Sequence, residues 1–344
     1  MALLRGELAG RPWGRPLVAP SLLFVGASFL SVFFSEQPLT SLQQLPRLLV
    51  FLLMPLGAAL LSTERSLRFM AWGLALMTLL LSLWGIWQYT HGFNSLAQRI
   101  RGPLSHYMTY AGWLLLAAVL LLGLALLAPL PRRWLLFVSV ATALVALVLS
   151  YTRNAWVGFA AGVLVLAACW RRQLLLVVPA LLLAVVLVFP PPVRERLFST
   201  LDLRQHANYD RLCMVYSGLQ MVRDHPLAGV GLDMVPKMYP LYRRDDAPRY
   251  RVPHLHNNPL QVAAERGLVA LAAYLWLMGA FFRVSFGSLW RLSGEAKAWV
   301  AAAVSAVAAI TVAGLFEYNF WDAEIQYLTF VLMGVATGLG ERAL

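Results

Sequence analysis

The sequence is short of charge and nearly devoid of cysteine. Only 13% of its residues are Asp, Glu, Lys or Arg, whereas 60% are hydrophobic. Soluble domains average about 25% charged and about 45–50% apolar, so a water-soluble globular domain is excluded. Two cysteines, Cys169 and Cys213, are too few for a disulfide framework, and no zinc-site spacing is present. They are expected on opposite sides of a membrane and therefore unpaired. Acidic residues number 16 against 28 Lys and Arg, a net charge of +12. In a soluble chain that excess would suggest nucleic acid. Here the recognition signatures for nucleic acid are missing and the arginines flank apolar runs, which points to membrane lipids as the surrounding partners and no nucleic acid.

What the sequence does have is a series of apolar runs, at 17–35, 48–62, 69–87, 109–128, 134–150, 155–170, 174–190, 268–286, 298–316 and 325–340. Several fall short of the ~20 residues of a perpendicular crossing, but together they predict an all-α integral membrane protein with about ten transmembrane helices. The division is 1–190 as an N-terminal transmembrane bundle, 191–257 as one large loop with short surface helices, and 258–344 as C-terminal transmembrane helices, all in one integrated membrane domain. Pro55 and Pro179 are expected to bend their helices. Arg5, Arg11 and Arg15 precede the first run without a small-residue cleavage site, which predicts a retained first helix.

Arginine placement sets the orientation. Arg65, Arg68, Arg132, Arg133, Arg171 and Arg172 fall in segments on the same side as the amino terminus. The short loops on the other side hold only Arg47, Arg99, Arg101 and Arg153. By the positive-inside rule both termini are cytoplasmic. All six histidines, His91, His106, His206, His225, His254 and His256, then fall on the outer side. The apolar cores of the spans hold almost no ionisable groups, which argues against a transporter or proton relay.

Within the large loop, 208–224 reads as a surface helix, with Leu212, Val215, Leu219 and Val222 at helical spacing and Pro226 ending it. Gly229-Val230-Gly231 reads as a turn needing unusual backbone angles; a lone GxG without a preceding strand is weak evidence for a nucleotide site. The loop ends in His254-Leu255-His256-Asn257-Asn258-Pro259. Asn258 before Pro259 predicts an N-cap with proline at the first helical position. His256 then lies just ahead of a helix amino terminus, where the dipole disfavours imidazolium and attracts anions. A neutral histidine there suits a general base working beside a phosphate.

An outer-side site has no ATP or nucleotide-sugar at hand, so group transfer there needs a donor already activated and carried in the membrane. A lipid-linked diphosphate fits, and it wants arginines, whose forked donors match phosphate oxygens. Arg153, in the tight turn Ser150-Tyr151-Thr152-Arg153-Asn154, is the leading candidate, followed by Arg211 and Arg101. Glu265, Glu317 and Asp322 are outer-side candidates for a second base, with Glu317 and Asp322 read as satisfying hydrogen bonds at a short turn.

These residues resemble the bacterial O-antigen ligase family of membrane glycosyltransferases. His256-Asn257, nine residues, then Gly267 is similar to that family's His-(Asn/Ser/Gln)-x9-Gly signature. The segment Ser150-Tyr151-Thr152-Arg153-Asn154-Ala155-Trp156 resembles its "SRgaW" stretch. Arg211 followed by His225-Pro226-Leu227-Ala228-Gly229-Val230-Gly231 resembles its "R…PlxGvG" stretch, and Arg101-Gly102-Pro103 is a looser match. Members usually carry more spans than are counted here, and Leu268-Val269-Ala270-Leu271 lacks polar residues that some carry.

The resemblance implies a GT-C-like fold and a metal-independent, inverting transferase without a cofactor, in the bacterial inner membrane with its active site facing the periplasm. It implies His256 as catalytic base and Arg153, Arg211 and Arg101 as the grip on an undecaprenyl-diphosphate-linked glycan donor. His254, Asn257 and Gly267 would play supporting parts. Lipid A–core oligosaccharide is the implied acceptor. A polysaccharide polymerase, a protein O-oligosaccharyltransferase and a non-catalytic lipid or polysaccharide transporter are the competing readings.

Overall fold

The computed structural model describes residues 15–171 and 205–342, with scattered positions between 173 and 202. Arg5, Arg11, most of the run at 174–190 and the prolines that follow it lie outside the described residues. In chain order come α1 (Arg15–Phe33), α2 (Pro38–Leu42), a 3-10 segment (Leu45–Leu52) running into α3 (Leu53–Leu60), α4 (Glu64–Thr90), α5 (Tyr107–Leu127), α6 (Trp134–Leu149) and α7 (Arg153–Trp170). After the large loop begins come α8 (His206–Asp224), α9 (Val235–Tyr242), α10 (Asn258–Ser288), α11 (Gly294–Ala313) and α12 (Ala323–Glu341). The chain is an all-α integral membrane protein. Among the described residues, eight helical segments are long and apolar enough to cross a membrane, and α6 is a shorter apolar helix.

A helix that is apolar on every side belongs in the middle of a bundle. α5 is of this kind: residues 114–121 are fully buried on all faces. Around it pack α6, α7, α11 and α12. Close approach is set by small residues four apart, as expected for helices associating in lipid. A Cβ on Gly158 or Gly162 of α7 would lie 2.7 Å from the Ala309 carbonyl oxygen and 2.8 Å from the Ala309 Cβ of α11. Gly334 and Gly338 of α12 meet Met54 and Ala58 of α3 in the same way.

Three expectations are corrected. The run at 48–62 is not one bent helix; Pro38–Leu60 is built from α2, the 3-10 segment and α3, and Pro55 falls in the first turn of α3, where its missing N–H costs least. The span at 268–286 starts earlier, because α10 runs from Asn258 and takes Glu265 and Arg266 inside it. The N-cap of α10 is Asn257, not Asn258: its side chain accepts from Leu260 N at 2.8 Å, and Pro259 is the second helical residue.

α10 is broken at Gly267, whose φ of 78° and ψ of 177° interrupt the ladder. The break leaves backbone groups that need partners, and the 226–231 turn supplies them. Val230 N donates to Ala264 O at 2.8 Å, Gly231 N to Glu265 O at 3.0 Å, and Leu268 N to Pro226 O at 2.8 Å. Contact is so close that a Cβ on Gly267 would sit 2.1 Å from Leu227 O, and one on Gly229 would sit 2.3 Å from the Glu265 carbonyl carbon. The two glycine-bearing motifs of the sequence are therefore two halves of one joint, which pins the large loop to the membrane bundle. The turn reading of 229–231 holds, with positive φ at Gly229 and Gly231.

Candidate active site

The amino ends of α5, α7, α10 and α12 meet at one end of the bundle, beneath α8. Each contributes through a local device. His106 caps α5, its Nδ1 accepting from Met108 N at 3.3 Å. Tyr151, at φ 53°, turns the chain sharply so that Arg153 opens α7. Asn257 caps α10 and donates to Leu315 O at 2.9 Å. Asn258, buried, donates to Asn319 Oδ1 at 2.7 Å and accepts from the backbone N–H of Asn319 and Phe320. The 314–322 loop is thereby fastened to the start of α10.

That fastening places Glu317 against two histidines. His256 Nδ1 is 2.8 Å from Glu317 Oε2, and His254 Nε2 is 3.4 Å from Glu317 Oε1. Burial alone would raise the Glu317 carboxyl, but the hydrogen bond and charge of His256, with a smaller part from His254, hold it below the usual glutamate value. An ionised carboxylate only accepts, so the Nδ1 of His256 carries the hydrogen of that bond. In the neutral ring Nε2 is then the nitrogen with the free lone pair. Burial lowers His254 to about 4, so its ring is neutral at physiological pH. His256 has φ 51°, a strained value for a non-glycine residue that the surrounding contacts must hold in place. Three donor atoms, one each from His254, His256 and Glu317, lie within 4.8 Å of one another, a set that could hold a metal ion.

His256 also lines a cavity of about 140 Å³ whose other walls carry Arg99, Arg153, Arg196, Arg211 and Arg249. Tyr107, Tyr151, Thr152, Asn154 and Asp210 complete its polar lining. Asp210 is spoken for by Arg249 at 3.0 Å. Among the described residues, no carboxylate pairs with Arg99, Arg153, Arg196 or Arg211. Burial lowers Arg99 and Arg196 from the usual arginine value, and Arg211 pushes both the same way. A cavity with four uncompensated guanidinium groups is built for an anion of high charge.

Arg153 is 7% exposed and is held by three side chains: Nη1 donates to Ser199 Oγ and Gln205 Oε1, both at 3.2 Å, and Nη2 to Asn208 Oδ1 at 2.9 Å. Among the described residues, these bonds engage three of its five N–H groups. Arg211 projects from α8 into the same cavity. Arg101 does not line it; its guanidinium donates to Ser105 O at 3.2 Å on the exposed rim. Arg99 takes that place, with its guanidinium 4.4 Å from the Tyr107 ring centroid.

The structure thus brings together His256, Arg153 and Arg211, with His254 and Asn257 adjacent, and puts Gly267 in the loop joint away from the cavity. Glu265 is tied to Arg266 and Gln261, both at 2.8 Å, and is structural. Sequence reasoning assigned Glu317 to turn bonding, which it does, accepting from Tyr318 N at 3.0 Å, but it missed the pairing with the histidines. It also passed over Arg99, Arg196 and Arg249 as cavity residues.

Fold and site together define a multi-pass helical membrane protein with a cationic, histidine-bearing cavity at one end of its bundle. Residues 137–275 match the model of the O-antigen ligase family, from α6 through the joint in α10. Over that stretch the chain is similar to the O-antigen ligase family, a likeness that supports membership and suggests a membrane glycosyltransferase-like enzyme. No curated protein matches the chain. Arg153, Arg211, His256 and Gly267 fall inside the matched stretch, whereas Arg99 and Glu317 lie outside it.

Proposed function

We propose that this protein transfers a glycan from undecaprenyl diphosphate to a hydroxyl of lipid A–core oligosaccharide on the periplasmic face of the inner membrane. The observation that carries this reading is one cavity lined by His256, Arg153 and Arg211. The diphosphate sits among the guanidinium groups, and the sugar it carries faces His256. Nε2 of His256 takes the proton of the acceptor hydroxyl, and the oxygen attacks the anomeric carbon from the side opposite the diphosphate. The bond from that carbon to the diphosphate oxygen breaks, with inversion. Negative charge growing on the leaving diphosphate is met by Arg153, Arg211 and Arg99, fixed before the reaction starts. These arginines supply the charge neutralisation that a metal gives in many phosphate-handling sites, so the reaction needs no ion.

Reconstitution of the purified protein with a lipid-linked glycan, offering lipid A–core and a second donor molecule as competing acceptors, tests this reading. Transfer to lipid A–core supports it; elongation of one donor by the other makes the protein a polymerase. His256→Ala should abolish transfer with donor binding retained, and a fully active variant would remove the histidine from the mechanism.

A further inference from the structure

The geometry points to an inhibitory zinc site formed by His254, His256 and Glu317, in which a bound Zn²⁺ switches the catalytic imidazole off. This inference rests on the reading of His256 as the base.

The three donors are already gathered. The two imidazole rings meet edge-on with centroids 4.3 Å apart, and each turns one nitrogen to a different oxygen of Glu317. The two nitrogen–oxygen separations are 2.8 and 3.4 Å, and all three donor atoms fit within 4.8 Å. Tetrahedral zinc, with bonds of about 2.0–2.2 Å to nitrogen and oxygen, asks for donors roughly 3.4 Å apart. Small ring movements therefore admit the ion. Two histidines and one glutamate, with the fourth position open, form a set that zinc takes readily and that magnesium and calcium do not favour. The scaffold is firm: the Asn257 and Asn258 bonds hold the Glu317 loop to the histidine segment. Against binding stand the guanidinium groups across the cavity, whose repulsion makes the site weaker than an all-cysteine structural one.

The switch follows from proton bookkeeping on the rings. Without metal, the bond to Glu317 keeps a hydrogen on Nδ1 of His256, and Nε2 is the nitrogen that can serve as the base. A zinc ion taking the Nδ1 lone pair moves that hydrogen to Nε2, which becomes a donor and cannot accept the acceptor's proton. His254 likewise binds through Nε2 and carries its hydrogen on Nδ1, giving up the 3.3 Å bond it accepts from His256 N. Each ring keeps one hydrogen, so none is lost to solvent. The diphosphate cavity stays open, and inhibition should lower kcat more than it changes donor affinity.

The test uses the full chain, purified in detergent with any histidine tag removed. Equilibrium dialysis against Zn²⁺, and titration with Co²⁺ followed by its visible absorption, should show one ion per chain. Zinc should inhibit transfer, EDTA should restore it, and Mg²⁺ or Ca²⁺ should do neither. His254→Gln and Glu317→Gln should each weaken zinc uptake by more than about tenfold. Uptake unchanged in both variants, or no uptake by a wild-type protein that transfers glycan, overturns the site and leaves the proposed function standing. Uptake through these residues with transfer indifferent to zinc overturns the switch. A wild type that binds zinc here yet transfers nothing supports the ligand set and sinks the proposed function instead.

Discussion

His256 and Glu317 stand 61 residues apart in the chain and 2.8 Å apart in space, Nδ1 against Oε2. The ring that this carboxylate holds is also part of the wall of the arginine-lined cavity. Such an orienting acid is the third member of the nucleophile–base–orienter arrangement, in which the acid fixes the tautomer rather than taking the proton. Glu317→Gln keeps the size of the side chain and lets the ring adopt the other tautomer. Transfer should fall on the order of a hundredfold or more in kcat, within the 10²–10⁴-fold contribution of a positioned base. Donor affinity should not change, because the carboxylate does not line the cavity. A variant whose loss lies entirely in KM would assign Glu317 to substrate binding instead.

Arg153 should dominate the grip on the diphosphate. Ser199, Gln205 and Asn208 fix its fork before any ligand arrives, so little side-chain entropy is lost on binding. Arg153→Ala should weaken donor binding roughly tenfold to a hundredfold, the range for one hydrogen bond to a charged group. Arg153→Lys should recover only part of this, since an ammonium cannot reach the same three partners and the ligand at once. Arg101→Ala should leave affinity nearly intact, and Arg99→Ala should weaken it. Donor-binding isotherms on the four variants decide the order, and equal losses at 99 and 101 would contradict the placement of the cavity wall.

How much of this the sequence carried depends on the kind of signal. Spans are written in composition over many residues, so α1, α4, α5, α6, α7, α11 and α12 were legible to within a few positions. Arg153 and His256 stood out in the sequence because each breaks a local rule, a charge in a short turn between apolar runs and a histidine at a helix tip, whereas Arg211 stood out through the family resemblance. Glu317 breaks none. Its meeting with His256 depends on Asn258 gripping the backbone of Asn319 and Phe320, a contact between distant segments that no periodicity announces. The choice between Arg99 and Arg101 was hidden for a related reason, since the irregular loop around them has no repeat to say which side chain faces inward. At the start of α10 the sequence offers two asparagines before one proline, and the side-chain bonds, not the spelling, decide that Asn257 caps and Asn258 is buried.

Gly267 gives a prediction about folding rather than chemistry. Its φ of 78° disfavours any side chain, and a Cβ would press on the Leu227 carbonyl at 2.1 Å. Gly267→Ala should cost on the order of 3 kcal/mol, from strain and from loosening the loop joint. A lower melting temperature in detergent, together with faster proteolysis of the large loop, is the expected readout. Gly279→Ala is the control, because nothing lies within 4 Å of a Cβ there and alanine is the better helix former. If both substitutions melt alike, the joint does not hold the loop.

Asp322 should make stability depend on pH. Burial is the main cause that raises its carboxyl from 3.8 to about 7; Glu317 and Glu324 add to the rise, and the Thr109 hydroxyl, 3.1 Å away, opposes it. Between those two values the folded protein holds a proton that the unfolded chain has released. Stability from this group is therefore complete below about 3.8 and is lost as pH rises through about 7. Asp322→Asn keeps an acceptor for Thr109 and removes the titration. The melting temperature of the wild type should fall across that interval, and that of the variant should fall less steeply. Parallel curves would mean that the carboxyl is charged throughout, and that α5 and α12 are joined at Thr109 by an ionised partner.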